Sequence, residues 1–388
     1  MKRILFCIEN FQHGGITKAL ENIISLIDKE KYEVGIFVVN QEDGPYRDIF
    51  VPYLKYPADR FLNAYCTNYR KYHGIKKLSL LALKFARKVF AKFSYDPFEK
   101  LLAKWAKRIS NDNFDCVIAF AEGYITNFVA KIKGHKIAWI HIDYKRYLTY
   151  SGNPNEKSVY GKYGSIVIPS RFSSASFAET YPELTEKIRI IPNVINCEIV
   201  RSKSVEDSNI DKRFTTDCFT IVSVGRVCYE KRFFQIPVIA KKLKARGINF
   251  KWYIIGDGSE PETATLLMSI NSEDVADCVI PLGRKDNPYP YIAKSDLLVS
   301  TSLSETFSYV VFEAKILGVP VVCADFGTAP EIVNENEGMI STISDMDGRI
   351  YELLSDHTRL NQLKCNLRDY RYDNASVLNE IYKSINNI

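Results

Sequence analysis

The chain predicts an α/β protein of two doubly wound, parallel-sheet domains, on three observations. Its 388 residues exceed what one ordinary hydrophobic core organises. Apolar strand-like runs alternate with stretches of helical spacing, first from Lys2 and again from Phe219. Between the two series, residues 196–217 are polar, rich in Ser and Asp and without periodicity, which reads as an interdomain linker.

In the first series, Lys2 to Ile8 reads as a buried strand and 9–15 as a polar loop ending in Gly14 and Gly15. Leu20, Ile23, Ile24 and Ile27 then keep helical spacing, and Tyr32 to Val39 is a second strand. The paired glycines let backbone approach a ligand in front of a helix N-terminus, or they only make a turn and a cap; spacing alone leaves both open. Further strands are expected at Asp115 to Phe120, Lys136 to Ile142, Gly164 to Pro169 and Ile188 to Val194. His141 and Asp143 close one of these at the sheet edge where open α/β folds hold ligands. No third ligand at metal spacing accompanies them, so no metal is expected.

The region between Arg60 and Arg108 carries thirteen Lys and Arg against Asp96 and Glu99, a local net of +11 on a chain whose formal total is +6. Within it, Leu78, Leu81, Phe85, Val89 and Phe93 share one helical face, with Lys77, Lys84, Arg87 and Lys88 mostly opposite. That pattern fits a helix on an anionic membrane surface, or a core-packed helix with its lysines in water. No nucleic-acid motif accompanies the charge, so nucleic acid is not expected as a partner.

The second series offers five strands: Thr220 to Gly225, Lys251 to Ile255, Asp277 to Leu282, Leu297 to Ser300 and Val319 to Ala324. A helix is expected from about Arg232 to Arg246. Gly256-Asp257-Gly258 lacks the later glycine of a dinucleotide fingerprint and argues little for a nicotinamide cofactor. After Ser300 the chain reads Ser304-Glu305-Thr306-Phe307-Ser308, then Val310, Val311, Ala314 and Leu317 at helical spacing, then Gly318 and Pro320 as stop signals. A helix N-terminus expected at Thr306 to Ser308 offers free N–H groups and positive dipole to a phosphate, with Glu305 and Glu313 near it. Arg226 and Lys231, just beyond a strand, add cations for a diphosphate. A last helix, Ser376 to Ile385, follows no strand and needs some other surface for its apolar face.

The remaining bulk properties bound the class. Hydrophobic residues make up 46% and charged residues 25%, as in a soluble globular protein. The short apolar start reaches Glu9 quickly and reads as a strand, not a signal peptide. No run approaches the ~18 apolar residues of a membrane span. Nine scattered cysteines without a C-x-x-C pair fit a reducing, cytoplasmic compartment.

In this order, Gly225-Arg226 with Lys231, Gly256-Asp257-Gly258, Gly283, Asp296, Ser304-Glu305, Phe312-Glu313-Ala314, Gly318 to Val322 and Pro330 to Val333 resemble family 4 retaining glycosyltransferases of the GT-B fold. Ile191 to Ile195, the Gly14-Gly15 loop and His141 match as well, so the likeness spans nearly the whole chain. It implies two Rossmann-like domains facing a cleft, with the last helix crossing back to the first: 1–198 plus 372–388 on the acceptor side, and 199–371 as donor domain. Carried over, Arg226 and Lys231 would hold the donor diphosphate with Thr306, Phe307 and Ser308. Glu305 would contact the sugar, Glu313 the ribose, and Gly283 and Arg284 would lie by the base. Gly14, Gly15 and His141 would line the acceptor side, with Gly15 near the phosphates and His141 by the sugar. Thr306, Ser308 and Thr328 depart from the glycines common in the family, which puts sugar preference in question.

The expected reaction is metal-independent, retaining transfer of a sugar from a UDP- or GDP-sugar to a lipid-linked or polysaccharide acceptor in cell-surface glycan synthesis. The place expected for it is the inner face of the cytoplasmic membrane. A GT-B nucleotide-sugar epimerase and a non-catalytic nucleotide-sugar-binding subunit are the competing readings.

Overall fold

The computed structural model describes residues 1–388 apart from 13, 43, 70, 71, 93, 94, 152–155, 207–209 and 388. Contacts divide the chain into two units: Met1–Pro169, Ser173–Val194 and Asn374–Ile388 in one, and Ser170–Phe172 with Ile195–Asp373 in the other.

The first unit holds six parallel strands, β1 Lys2–Ile8, β2 Tyr32–Val38, β3 Cys116–Ala119, β4 Lys136–Trp139, β5 Ser165–Ile168 and β6 Ile188–Ile190. Their order is β2-β1-β3-β4-β5-β6. The second holds β7 Phe219–Val224, β8 Phe250–Ile255, β9 Val279–Gly283, β10 Leu297–Ser300, β11 Val321–Ala324 and β12 Gly338–Ser341, in the order β12-β11-β10-β7-β8-β9. Helices cover both faces, so the inner strands are buried end to end and read as unbroken apolar runs rather than alternations. Chain order reverses beside β1, which lies between β2 and β3, and beside β7, which lies between β8 and β10. Ligands of open α/β sheets sit beyond the strand carboxyl ends at such switch points.

Two sequence expectations need correction, and a third point left open can be narrowed. Residues 196–204 are not linker. Asn196 caps a helix, Cys197–Ser204, through Ile199 N–H (3.1 Å), and Ile195 and Val200 enter the second unit's core. The sheet of that unit has a sixth strand, β12, whose four residues were too short a run to register. Of the two readings open for the Leu78 to Phe93 face, the Gly74–Ala91 helix does not support core packing, Phe93 itself lying outside the described residues. Leu78, Phe85 and Val89 are exposed, whereas Leu80 is buried. Lys84 lies over the Tyr69 ring (5.3 Å) and Arg87 over Phe98 (4.5 Å), with Arg87 also paired to Asp96 (2.7 Å).

The last helix, Asn374–Asn386, belongs to the first unit. Its Tyr382 ring stacks on Tyr32 (4.9 Å) and its hydroxyl accepts the Asp28 N–H (2.9 Å), while Ile381 and Ile385 are buried. Those contacts bury the apolar face that had no strand to cover it.

Candidate active site

The second unit's switch point is built by two loops, one after β7 and one after β10. The first loop starts with backbone packing. A Cβ on Gly256 would lie 1.8 Å from the Gly225 carbonyl oxygen, and one on Gly258 2.1 Å from that of Val227. The Gly256-Asp257-Gly258 run therefore lets the ends of β7 and β8 lie side by side, with Val227 N–H donating to Asp257 O (2.7 Å). Arg226 projects into solvent, near enough to Glu262 to help depress that carboxyl, behind the larger effects of the Ser259 hydroxyl and amide. A 3-10 turn, Tyr229–Lys231, then delivers Lys231.

Arg232 follows at φ 51°, ψ 33°. The helix expected from Arg232 therefore starts later, at Ile236–Ala245. The left-handed conformation costs a non-glycine residue about 1–2 kcal/mol. Its guanidinium donates from Nε to Thr301 O (3.0 Å) and from Nη2 to Ser302 O (2.9 Å).

The second loop carries Glu305. The helix expected from Thr306 begins at Tyr309, running to Ile316 with Ser308 at its N-cap, so Glu305 stands in the loop before it. Lys231 Nζ donates to Glu305 Oε1, and Ser302 Oγ donates to the same oxygen (2.8 Å). Thr328 Oγ1 donates to the Glu305 carbonyl (2.8 Å). Thr328 is thus a clamp on the glutamate. The two loops are further joined by Thr301 Oγ1 to Lys231 O (2.6 Å) and Leu303 N–H to Glu230 O (2.7 Å). Side-chain exposures of 24% for Lys231 and 13% for Glu305 leave the pair largely shielded yet reachable.

At the helix N-terminus, Ser308 is 2% exposed, and its Oγ has no hydrogen-bond partner among the described residues. Phe307 turns its ring inward, stacked on Phe312 (4.7 Å) and edge-on to Tyr372 (6.3 Å), so it anchors the loop through its side chain. Thr306 stays partly exposed. Glu313 is buried and accepts from the Tyr289 hydroxyl (3.0 Å). Gly283 ends β9 at φ +72° with open space at its Cβ position. Arg284 beyond it is exposed and 3.6 Å from Asp286, a contact that water screens.

In the first unit, Gly14 and Gly15 open the Gly15–Leu26 helix, and a Cβ on either would meet nothing within 4 Å. The protein's own packing does not demand glycine there. His141 follows β4, half-buried with its ring against Phe120 (centroids 4.5 Å), and desolvation of the ring pushes its imidazole down to about 3, so it is neutral. Its backbone N–H donates to Glu122, whose carboxyl burial pushes up to about 7. Asp143 accepts from Ser176 Oγ (2.5 Å). Among the described residues no group of three or more His, Cys, Asp or Glu is placed to hold a metal ion.

Sequence reasoning gave Arg232 and Ser302 no site role, and noted Thr328 only for the glycine it replaces. Ser302, three residues before Glu305, was near it in sequence, but no helix-capping pattern marked the side-chain bond between them. The contact of Arg232 with the far loop had no local signature.

A family model described as "Glycosyl transferases group 1" matches residues 205–369, within the second unit. The match takes in the strands from β7 to β12 and with them the loops that carry Lys231 and Glu305. The Campylobacter jejuni N-acetylgalactosamine-N,N'-diacetylbacillosaminyl-diphospho-undecaprenol 4-alpha-N-acetylgalactosaminyltransferase is 28% identical over 204 residues, 48% of this chain and 53% of that protein. The chain spans about half the length, or less, of the curated relatives it matches. The structure of Anabaena Alr3699/HepE in complex with UDP and glucose superposes with TM-score 0.76 over all of both chains at 15% identity. The lipopolysaccharide outer core galactosyltransferase WaaB superposes at 0.65, also at 15% identity, over all of this chain and 99% of that one. At such identity the likeness is one of fold, and the fold is GT-B.

Proposed function

We propose that the chain is a retaining glycosyltransferase that moves a sugar from a nucleoside-diphosphate sugar to a lipid-linked or polysaccharide acceptor. The observation that carries this reading is the Lys231–Glu305 pair, its glutamate in the loop leading to the buried Ser308 hydroxyl, which has no partner among the described residues, at the switch point of the segment similar to group 1 glycosyl transferases. A diphosphate at the helix N-terminus would meet the Lys231 ammonium, the first amides of the Tyr309–Ile316 helix and the Ser308 hydroxyl. Glu305, held from three directions, would then accept from sugar hydroxyls. Glu313 would serve the ribose, and Gly283 and Arg284 the base.

In this reading the C1–oxygen bond to the diphosphate breaks and the acceptor oxygen bonds to C1 on the same face. The acceptor's proton passes to the departing phosphate. Stabilising that leaving group is the main work, and Lys231, Arg226 and the helix dipole supply positive charge for it without a metal. Glu305 positions the donor and is neither nucleophile nor base. His141, neutral, would offer a hydrogen bond to the sugar rather than a charge, and Gly14 and Gly15 would leave room on the acceptor side. The names of the Campylobacter relative, built on diphospho-undecaprenol, and of the outer-core galactosyltransferase support a lipid-linked or surface-glycan acceptor. Glu305→Ala is expected to abolish transfer while nucleotide affinity changes less than about threefold; turnover equal to the parent's would overturn the assignment.

The partner surface in this reading is the inner face of an anionic membrane, met by 60–108. Support comes from the Gly74–Ala91 helix, whose Ile75, Leu78 and Phe85 are 87%, 67% and 69% exposed within the +11 segment. No helix among the described residues is long and apolar enough to cross a membrane, so contact would be at the surface. Leu78→Asp with Phe85→Asp is expected to lower co-sedimentation with phosphatidylglycerol vesicles at least fivefold. Equal co-sedimentation would remove the membrane from the account.

A further inference from the structure

We propose that Arg232 is a positioning residue for sugar transfer, locking the loop that carries Glu305 onto the loop that carries Lys231. The inference rests on the donor-site reading above and adds a residue outside its binding groups.

The geometry is specific. Arg232 is one of four non-glycine residues with positive φ among the described residues, and its backbone turns the chain sharply between two 3-10 turns. That turn aims the guanidinium across at the β10 loop, where it takes the Thr301 and Ser302 carbonyls in a fork. Those two residues return contacts of their own. Thr301 Oγ1 reaches the Lys231 carbonyl, and Ser302 Oγ reaches the Glu305 carboxylate. Arg232 thus acts on both partners of the Lys231–Glu305 pair without touching either side chain in these bonds. A planar, always-charged fork suits this work, because two carbonyls fixed by one rigid group cannot move independently.

A purely structural residue and a positioning residue respond differently to glycine. Glycine accepts positive φ without strain, so Arg232→Gly relieves the backbone while deleting the fork. The experiment compares parent, Arg232→Gly and Arg232→Lys. It reads thermal midpoint, kcat and KM with the best nucleotide sugar, and amide hydrogen exchange across 301–308. The expected result for Arg232→Gly is a midpoint within about 2 °C of the parent, kcat down at least tenfold with donor KM changed less than threefold, and exchange across 301–308 at least fivefold faster. Arg232→Lys, with its charge but no fork, is expected to recover part of kcat.

Unchanged exchange across 301–308 overturns the locking role whether or not the parent is active. So does unchanged kcat in a folded variant, or a kcat loss that merely follows a fall in thermal midpoint. A parent that turns over no nucleotide sugar, while its variant shows the faster exchange, instead overturns the donor-site reading and leaves Arg232 locking a loop of another purpose.

Discussion

Lys231→Met tests the charge economy of the site most sharply. Methionine keeps much of the stem and removes the ammonium that sits on the Glu305 carboxylate. With both side chains at least three-quarters shielded, an effective dielectric near ~20 applies, and two charges at ~4 Å attract by about 4 kcal/mol before desolvation is subtracted. In the resting protein, Glu305 would keep the Ser302 hydroxyl, so the stability loss should be about 1–3 kcal/mol. The catalytic loss should be larger. Charge on the departing diphosphate grows in the transition state, and removing one well-placed donor there costs about 3–4 kcal/mol, or roughly 10²–10³ in kcat. The assay is steady-state release of nucleoside diphosphate at saturating donor and acceptor, with Lys231→Arg as the charge-retaining control and circular dichroism to confirm folding. A folded Lys231→Met with kcat within threefold of the parent would refute the claim that this ammonium carries leaving-group charge.

Other outcomes follow from the same contacts. Thr328→Val keeps shape but drops the hydroxyl on the Glu305 carbonyl, and should cost about 1 kcal/mol in stability with a several-fold drop in kcat; an unchanged kcat would show that the clamp does not matter. Lys315 is buried with Glu337 at 2.9 Å, and burial lowers its pKa against the pull of that carboxylate. Lys315→Ala strands Glu337 and should lose about 3–5 kcal/mol in urea unfolding of the second unit, and a loss under 1 kcal/mol would contradict the pairing. Glu122 has a native carboxyl raised from 4.5 to about 7, chiefly by burial. Below about 4.5 both folded and unfolded forms are protonated and no penalty exists. As pH rises from there to about 7 the unfolded carboxyl ionises while the native one keeps its proton, so stability falls through that window, by at most roughly 3 kcal/mol. Glu122→Gln removes the titration, and the variant's stability relative to the parent should climb between pH 4.5 and 7 and then level off. A pH-independent difference would place the carboxyl's pKa near its ordinary value.

Much of the fold was legible because central strands buried on both faces leave unmistakable apolar runs, as at Ile221-Val222 and Val321-Val322. β12 escaped because Gly338-Met339-Ile340-Ser341 is short and starts with glycine. The sequence left two orientations open for the 74–91 helix because its apolar residues occur all round it. Periodicity marked Leu78 and Phe85, but it is Leu80 that is buried, while the charged ends of Lys84 and Arg87 lie over the Tyr69 and Phe98 rings. At the site, Glu305 and Lys231 were readable as charged residues beyond strand ends, where ligands gather. That they touch each other was not readable, because β7 and β10 become neighbours only through the crossover that places β10 beside β7. Arg232 and Thr328 stayed hidden for the same reason: each acts on a residue brought near by the sheet order, not by the local chain.

The central claim is acceptor-dependent sugar transfer by the Lys231–Glu305 site. Its most direct measurement is nucleoside diphosphate release from a panel of UDP- and GDP-sugars, with and without polyprenyl-diphosphate glycan acceptors, by the parent and Glu305→Ala. The account predicts release with at least one donor that requires acceptor, yields a glycoside of the donor's anomeric configuration, and vanishes in Glu305→Ala. Release that ignores the acceptor, or that persists at parental rate without Glu305, would contradict it.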